Sequence, residues 1–196
     1  MIKSLSILVF LAQGLVAYPY LKDVSSQVRQ DALTLYALDA QIHQNYFKAA
    51  EFYQELYKST DQIQYQYESL RMLEQSGEIE TFVIRVNGLL KQFPNDLLLK
   101  RFEIIGLMKE AKFLIASQKA FTLCATTKEI PDFLLYGEAN LKLGNYVIAR
   151  DALRQAYEIS HDPITCERIA LIEYSELNEQ KQAIELINHH IVTYGK

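Results

Sequence analysis

Tryptophan is absent from this chain of 196 residues, which also has only seven glycines, four prolines and two cysteines. The residues that remain in quantity, Leu, Ala, Glu, Gln, Lys and Tyr, suit helices far better than sheets. No stretch alternates apolar and polar residues cleanly enough to argue for a strand. Positive charge is also short: 20 Lys and Arg stand against 24 Asp and Glu. That mild acidity argues against nucleic acid as a partner, because phosphate binding needs concentrated basic side chains. No HExxH, GxSxG, glycine-rich phosphate loop or EF-hand loop occurs. The acidic residues, Glu51, Glu55, Glu74, Glu78 and Glu80 among them, are scattered along helices as solvated faces rather than gathered as a catalytic pair.

What is present is a periodic helical pattern, clearest from Asp132 to Pro163. Phe133, Tyr136, Gly137 and Leu141 recur at helical spacing, and Gly144-Asn145 then breaks the period. Glycine accepts the left-handed backbone that follows a helix C-terminus. A second helix runs from about Tyr146 to Ser160, with Tyr146, Ala149, Leu153 and Ala156 on one face, and Asp162-Pro163 ends it. Gly137 and Ala149 are small where large residues would be expected, which predicts two helix axes in close approach.

With Ile130 as position 1, this unit has a small residue at position 8 (Gly137) and Gly144-Asn145-Tyr146 at 15 to 17. Ala149, Leu153 and Ala156 stand at 20, 24 and 27. The arrangement resembles a tetratricopeptide repeat. Carried along the chain by about 34 residues, the Ala149 position falls on Ala49, Phe82, Ala116, Ala149 and Ala183. Three residues earlier stand Tyr46, Ile79, Phe113, Tyr146 and Gln180, and four later Tyr53, Val86, Ala120, Leu153 and Ile187. Only Gln180 is polar, and only Phe82 is large in the small-residue slot. The units begin near Gln30, Ile63, Leu97, Ile130 and Ile164, and Pro94, Pro131 and Pro163 fall between them. The expected fold is therefore all-α, a helical-hairpin repeat solenoid of about five units, filling residues 18–196 as one domain.

The first twenty residues differ in kind. One lysine precedes an apolar run from Leu5 to Ala17, and a small residue stands before Tyr18-Pro19, the form of a secretory signal peptide over residues 1–17. The run is short for a membrane span, which needs about 20 residues. An uncleaved anchor, or a buried first helix, is the alternative. Cleavage after Ala17 leaves 19 basic and 24 acidic residues, a net charge of 19 − 24 = −5.

Reactive side chains offer little. In the repeat frame Cys124 lies on the second helix of unit three and Cys166 on the first helix of unit five, a whole unit apart. Repeats contact mainly their neighbours, so buried free thiols are expected rather than a disulfide. The four histidines are His43, His161, His189 and His190, and the adjacent pair projects about 100° apart on a helix rather than forming a metal clip. No cofactor or metal is expected. Of the clustered tyrosines, Tyr46 and Tyr53 fall in packing slots. Tyr57, Tyr65 and Tyr67 either furnish a binding surface or wedge between units.

The resemblance implies a ligand groove lined by fixed positions of each first helix. Carried over, these are Thr34, Leu38, Gln41 and Ile42, then Tyr67, Arg71, Glu74 and Gln75, then Arg101, Ile105, Met108 and Lys109. Unit four adds Leu134, Glu138, Leu141 and Lys142, and unit five Arg168, Ile172, Ser175 and Glu176. No position-9 residue is the Asn with which relatives grip a C-terminal carboxylate. The final helix, about Glu179 to Tyr194, carries Ala183, Ile184, Leu186, Ile187 and Ile191 over an arc of about 160°, wider than the roughly 100° that one-sided burial needs. Ile184 and Ile191 are therefore expected at an interface, with a second copy, another partner, or a continuation of the array if this chain is a fragment. Together these features lead to the expectation of a non-enzymatic scaffold or adaptor, periplasmic or secreted, holding protein partners in the bacterial cell envelope. By similarity to other exported repeat proteins, the settings are secretion, pilus, outer-membrane assembly or flagellar motor machinery. A membrane-anchored structural subunit or a small-ligand receptor is the alternative.

Overall fold

The computed structural model of the chain describes residues 25–195. The expected signal peptide lies outside these residues. Ten helices make up the regular structure of the described part: α1 (Ser26–Ile42), α2 (Tyr46–Thr60), α3 (Ile63–Ser76), α4 (Ile79–Gln92) and α5 (Leu97–Lys109), then α6 (Phe113–Thr127), α7 (Ile130–Lys142), α8 (Tyr146–Ser160), α9 (Pro163–Ser175) and α10 (Gln180–Tyr194). Odd-numbered helices are the first of each expected repeat and even-numbered ones the second. None is long and apolar enough to cross a membrane.

Short side chains set where the helices begin. Ser25, Asn45, Asp96 and Asp162 accept hydrogen bonds from backbone N–H groups of the first turn, which would otherwise lack partners. Pro131 and Pro163 sit in the first turns of α7 and α9, where a missing N–H costs nothing. The turn inside every repeat has a left-handed residue at the same position: Gln44, Gly77, Ala111, Gly144 and Asn178, with φ between +57° and +80°. Only two of the five are glycine, so the repeat imposes this conformation even where the side chain opposes it.

The chain divides into two compact units, residues up to Glu78 and residues from Ile79. In the first, α1 packs on α2 and α2 on α3. Leu33, Leu56 and Leu70 are fully buried there beside Ala37 and Ala49. The Ser69 hydroxyl donates to the Ala50 carbonyl (2.8 Å), and the Tyr53 hydroxyl to Gln41 (3.3 Å). Tyr65 stacks on Tyr53, with ring centroids 6.4 Å apart, so it wedges between α2 and α3.

In the second unit each helix from α4 to α10 packs on the next, and α5 also touches α7. The small-residue slot is buried in all five repeats, at Ala49, Phe82, Ala116, Ala149 and Ala183. A Cβ on Gly137 would stand 3.0 Å from Leu153 Cγ and 3.4 Å from the Ala149 carbonyl oxygen, which is the expected close approach of α7 and α8. Beside Phe82, α5 lies close against α4: a Cβ on Gly106 would stand 3.1 Å from Val83 Cγ2 and 3.4 Å from the Phe82 ring. The Phe82 ring also stands edge-on to Phe102 of α5 at 6.0 Å, so the large residue in this slot packs against the first helix of the next repeat.

One register expectation is corrected. The turn from α9 to α10 holds four residues where the turn from α7 to α8 holds three, so α9 begins at Pro163, one residue earlier than a uniform spacing from Gln180 implies. Ile172, expected at the groove, is 5% exposed and packs with Leu153, Tyr157, Cys166 and Ile169. Leu171 is 63% exposed in its place.

Candidate functional site

The first helices α5, α7 and α9 bring the predicted groove residues of the second unit together. Arg101 and Ile105 from α5, Leu134 and Glu138 from α7 and Arg168 from α9 line one open depression of roughly 380 Å³. Leu98, Phe102, Pro131 and Leu135 complete it. Its floor is apolar, and charge is confined to Arg101 and to the Glu138–Arg168 ion pair. Met108 instead packs against the cluster around Ile104 and Ala116, and Leu141 against the one around Leu153. Tyr67 and Arg71 belong to the other compact unit, where Tyr67 is half-buried and Arg71 pairs with Glu68.

Arg101 is not a free groove charge. Its Nε donates to Asp132 Oδ1 at 2.7 Å and its Nη2 to Asp132 Oδ2 at 2.9 Å, and Nη2 also meets Glu129 at 2.6 Å. The Arg101 side chain is 15% exposed and that of Asp132 is fully buried. Burial works to raise the Asp132 pKa, but hydrogen bonds from Arg101 and Thr127, and the guanidinium charge, hold it below the usual carboxylate range. The same bond to Asp132 raises the Arg101 pKa. The bidentate pair therefore pins the first helix of repeat three to the first helix of repeat four, with its hydrogen bonds satisfied on both sides.

Sequence reasoning missed Asp132. A signal existed: its position in the repeat is Ala32, Tyr65, Leu99 and Thr165 in the other units, so it is the lone acid of the set. The buried Asn140 was missed as well. It donates to the Ser117 hydroxyl at 3.0 Å and to the Tyr136 carbonyl at 2.8 Å, and accepts from Asn145 at 3.2 Å. Its counterpart one repeat on is Glu173, fully buried and paired with Arg154.

Cys124 and Cys166 are both buried and free. Burial, with the nearby Asp132 charge, pushes the Cys124 thiol up to about 11, and burial raises Cys166 also, so both stay protonated and unreactive near neutrality. His190 Nδ1 lies 2.8 Å from the Tyr157 hydroxyl, and His161 stacks on Tyr194 at 4.4 Å. These contacts fasten the end of α10 to α8. Among the described residues no three His, Cys, Asp or Glu side chains gather as a metal site. Ile184 and Ile191 on α10 are 56% and 58% exposed.

No family model matches the chain, and no curated protein does. Solved structures do resemble it. MamA residues 41 to the end from Desulfovibrio magneticus RS-1 superposes with a TM-score of 0.65 at 13% identity, over 83% of this chain and 93% of that one. A thermophilic TPR protein of Thermus thermophilus gives 0.66 at 14% identity, over 85% and 92%. A further MamA structure gives 0.62 at 9% identity, over 83% and 90%. At such identities the likeness is one of fold, and it agrees with the repeat period, the left-handed turn in every unit and the buried small-residue slots. The chain has the tetratricopeptide-repeat fold.

Proposed function

We propose that this chain is a non-enzymatic scaffold that holds a segment of another protein in the depression between α5 and α7 and offers the outer face of α10 as a second contact. One observation carries the reading: Ile105 and Leu134, half-buried, share an open apolar floor with Leu98 and Leu135, beside the Glu138–Arg168 pair. Such a floor takes apolar side chains of an extended or helical segment, while the charges at its edge fix the direction in which the segment lies. The form of residues 1–17 supports an exported protein acting in the cell envelope, within a machine such as those for secretion, pilus or outer-membrane assembly or a flagellar motor. Crosslinking in cells followed by mass spectrometry names the partner. Ile105→Asp with Leu134→Asp is expected to abolish that crosslink while circular dichroism stays helical. Retention of the partner by a folded double variant overturns the reading, and an intact Met1 on the isolated protein overturns the exported form with a cleaved leader.

A further inference from the structure

We infer that the outer face of α10 pairs with the same face of a second copy, the two helices running antiparallel about a two-fold axis at Asn188. The inference rests on the reading of that face as a contact surface and names its occupant.

Repeat equivalence shows what covers such a face elsewhere in the array. Ile184 and Ile191 occupy the positions held by Ser117 and Cys124 on α6 and by Arg150 and Tyr157 on α8. At those earlier junctions the following repeat covers the pair, with Arg150 reaching Glu179 in the turn after α9. Asn140 of α7 donates to Ser117, Cys124 is buried, and Tyr157 is buried beside Cys166 and Ile169 of α9. On α10 the same two positions carry the most apolar pair of the three, and both are more than half exposed. The surface is therefore built as a repeat junction, and its fitting cover is a helix lying antiparallel to α10.

The stripe is self-complementary in that direction. Ile184 lies four residues before Asn188 and Ile191 three residues after it, so an antiparallel copy sets each Ile184 against the partner's Ile191. Asn188 then faces itself, and an amide, being both donor and acceptor, can bond its own twin. Lys181, the only charged member of the stripe, meets the C-terminal turn of the opposite helix, where the helix dipole favours a cation. Its ammonium has only a long contact of 3.7 Å to Glu185. Between Ile184 and Ile191 no like charges face each other across the seam, as an isologous interface requires.

Light scattering coupled to size exclusion, over a concentration series of the purified chain, tests this. The expected mass is twice that of one chain, and Ile184→Lys with Ile191→Lys is expected to halve it without loss of helical signal. Asn188→Cys is expected to form an intermolecular disulfide on mild oxidation, whereas Gln182→Cys, exposed elsewhere on α10, does not. The native chain supplies the blank, since Cys124 and Cys166 are buried. A native monomer at every concentration, a dimer unmoved by the paired substitutions, or equal crosslinking at both cysteine positions overturns the inference. Loss of a bound partner in the paired variant of a chain that is always monomeric overturns the second copy while keeping the edge as a contact. The fate of the groove is read separately through Ile105 and Leu134.

Discussion

Arg101 and Asp132 form a bidentate ion pair, at 2.7 and 2.9 Å, between the first helices of two consecutive repeats. The Asp132 side chain is wholly shielded from solvent, so removing its partner leaves a buried carboxylate without a counter-charge. Breaking such a pair from one side costs about 3–5 kcal/mol. Arg101→Ala is therefore expected to lower the melting temperature sharply. Replacing the neighbouring Arg168, whose pair with Glu138 is partly open to water, is expected to cost at most about 1 kcal/mol.

The same pair sets a pH dependence. The folded-state pKa of Asp132 is depressed, so its contribution is fully present above the unfolded value of about 3.9 and is lost as pH falls through the lower folded value. Asp132→Asn is expected to be less stable than the native chain at neutral pH, with the gap closing in acid. Urea unfolding at a series of pH values checks the sign, and a gap that widens below about pH 4 would exclude it.

Gly137 and Ala149 set how closely α7 and α8 approach. Ala149→Leu forces a large side chain into a fully buried crossing, an overpacking that costs about 1–3 kcal/mol or more. Gly137→Ala brings a Cβ to 3.0 Å from Leu153 Cγ, but it regains roughly 1 kcal/mol of helix propensity. It is expected to destabilise less than Ala149→Leu, and thermal melts of the two variants rank them. Equal stability of Ala149→Leu and the native chain would deny the close crossing.

The second helices were legible from sequence because their slots recur at about 34 residues and their burial depends on side-chain size, which sequence displays. The groove was less so. A one-residue lengthening of the turn after α9 leaves α10 in register but moves α9, and period counting from α10 carried that offset into Ile172. Repeat spacing sets Arg101 at the groove but does not disclose its pairing, because the partner stands 31 residues away, at a position where the other repeats have no acid. Single polar substitutions of this kind leave no periodic trace. The exposed α10 face was legible, because the width of an apolar arc follows from helical geometry alone.

Ala111 holds φ +59° at the turn position that Gly144 holds at +74°. An L side chain is strained in that conformation, and glycine is not. After allowing for the extra freedom glycine gives the unfolded chain, Ala111→Gly is expected to stabilise by about 0.5–1 kcal/mol. Gly144→Ala is expected to do the reverse. Chemical denaturation of both variants checks the pair, and a loss of stability in Ala111→Gly would remove the strain argument.

Ile172 and Leu171 are adjacent on α9 and face opposite environments, one packed among Leu153, Tyr157, Cys166 and Ile169, the other 63% exposed. Sequence spacing alone assigns them the other way round, so the same substitution at each discriminates. Ile172→Lys buries an unpaired ammonium and removes a core side chain, and is expected to cost several kcal/mol, about 3 or more. Leu171→Lys exchanges one exposed side chain for another and is expected to stay within about 0.5 kcal/mol of the native chain. Leu171 is equivalent to Glu138 one repeat earlier, so its lysine variant is also expected to change partner binding while leaving the fold intact. Melting curves and a binding assay on the two variants separate the cases. A stable Ile172→Lys chain together with an unfolded Leu171→Lys chain would restore the uniform spacing and remove the extra turn residue from the account.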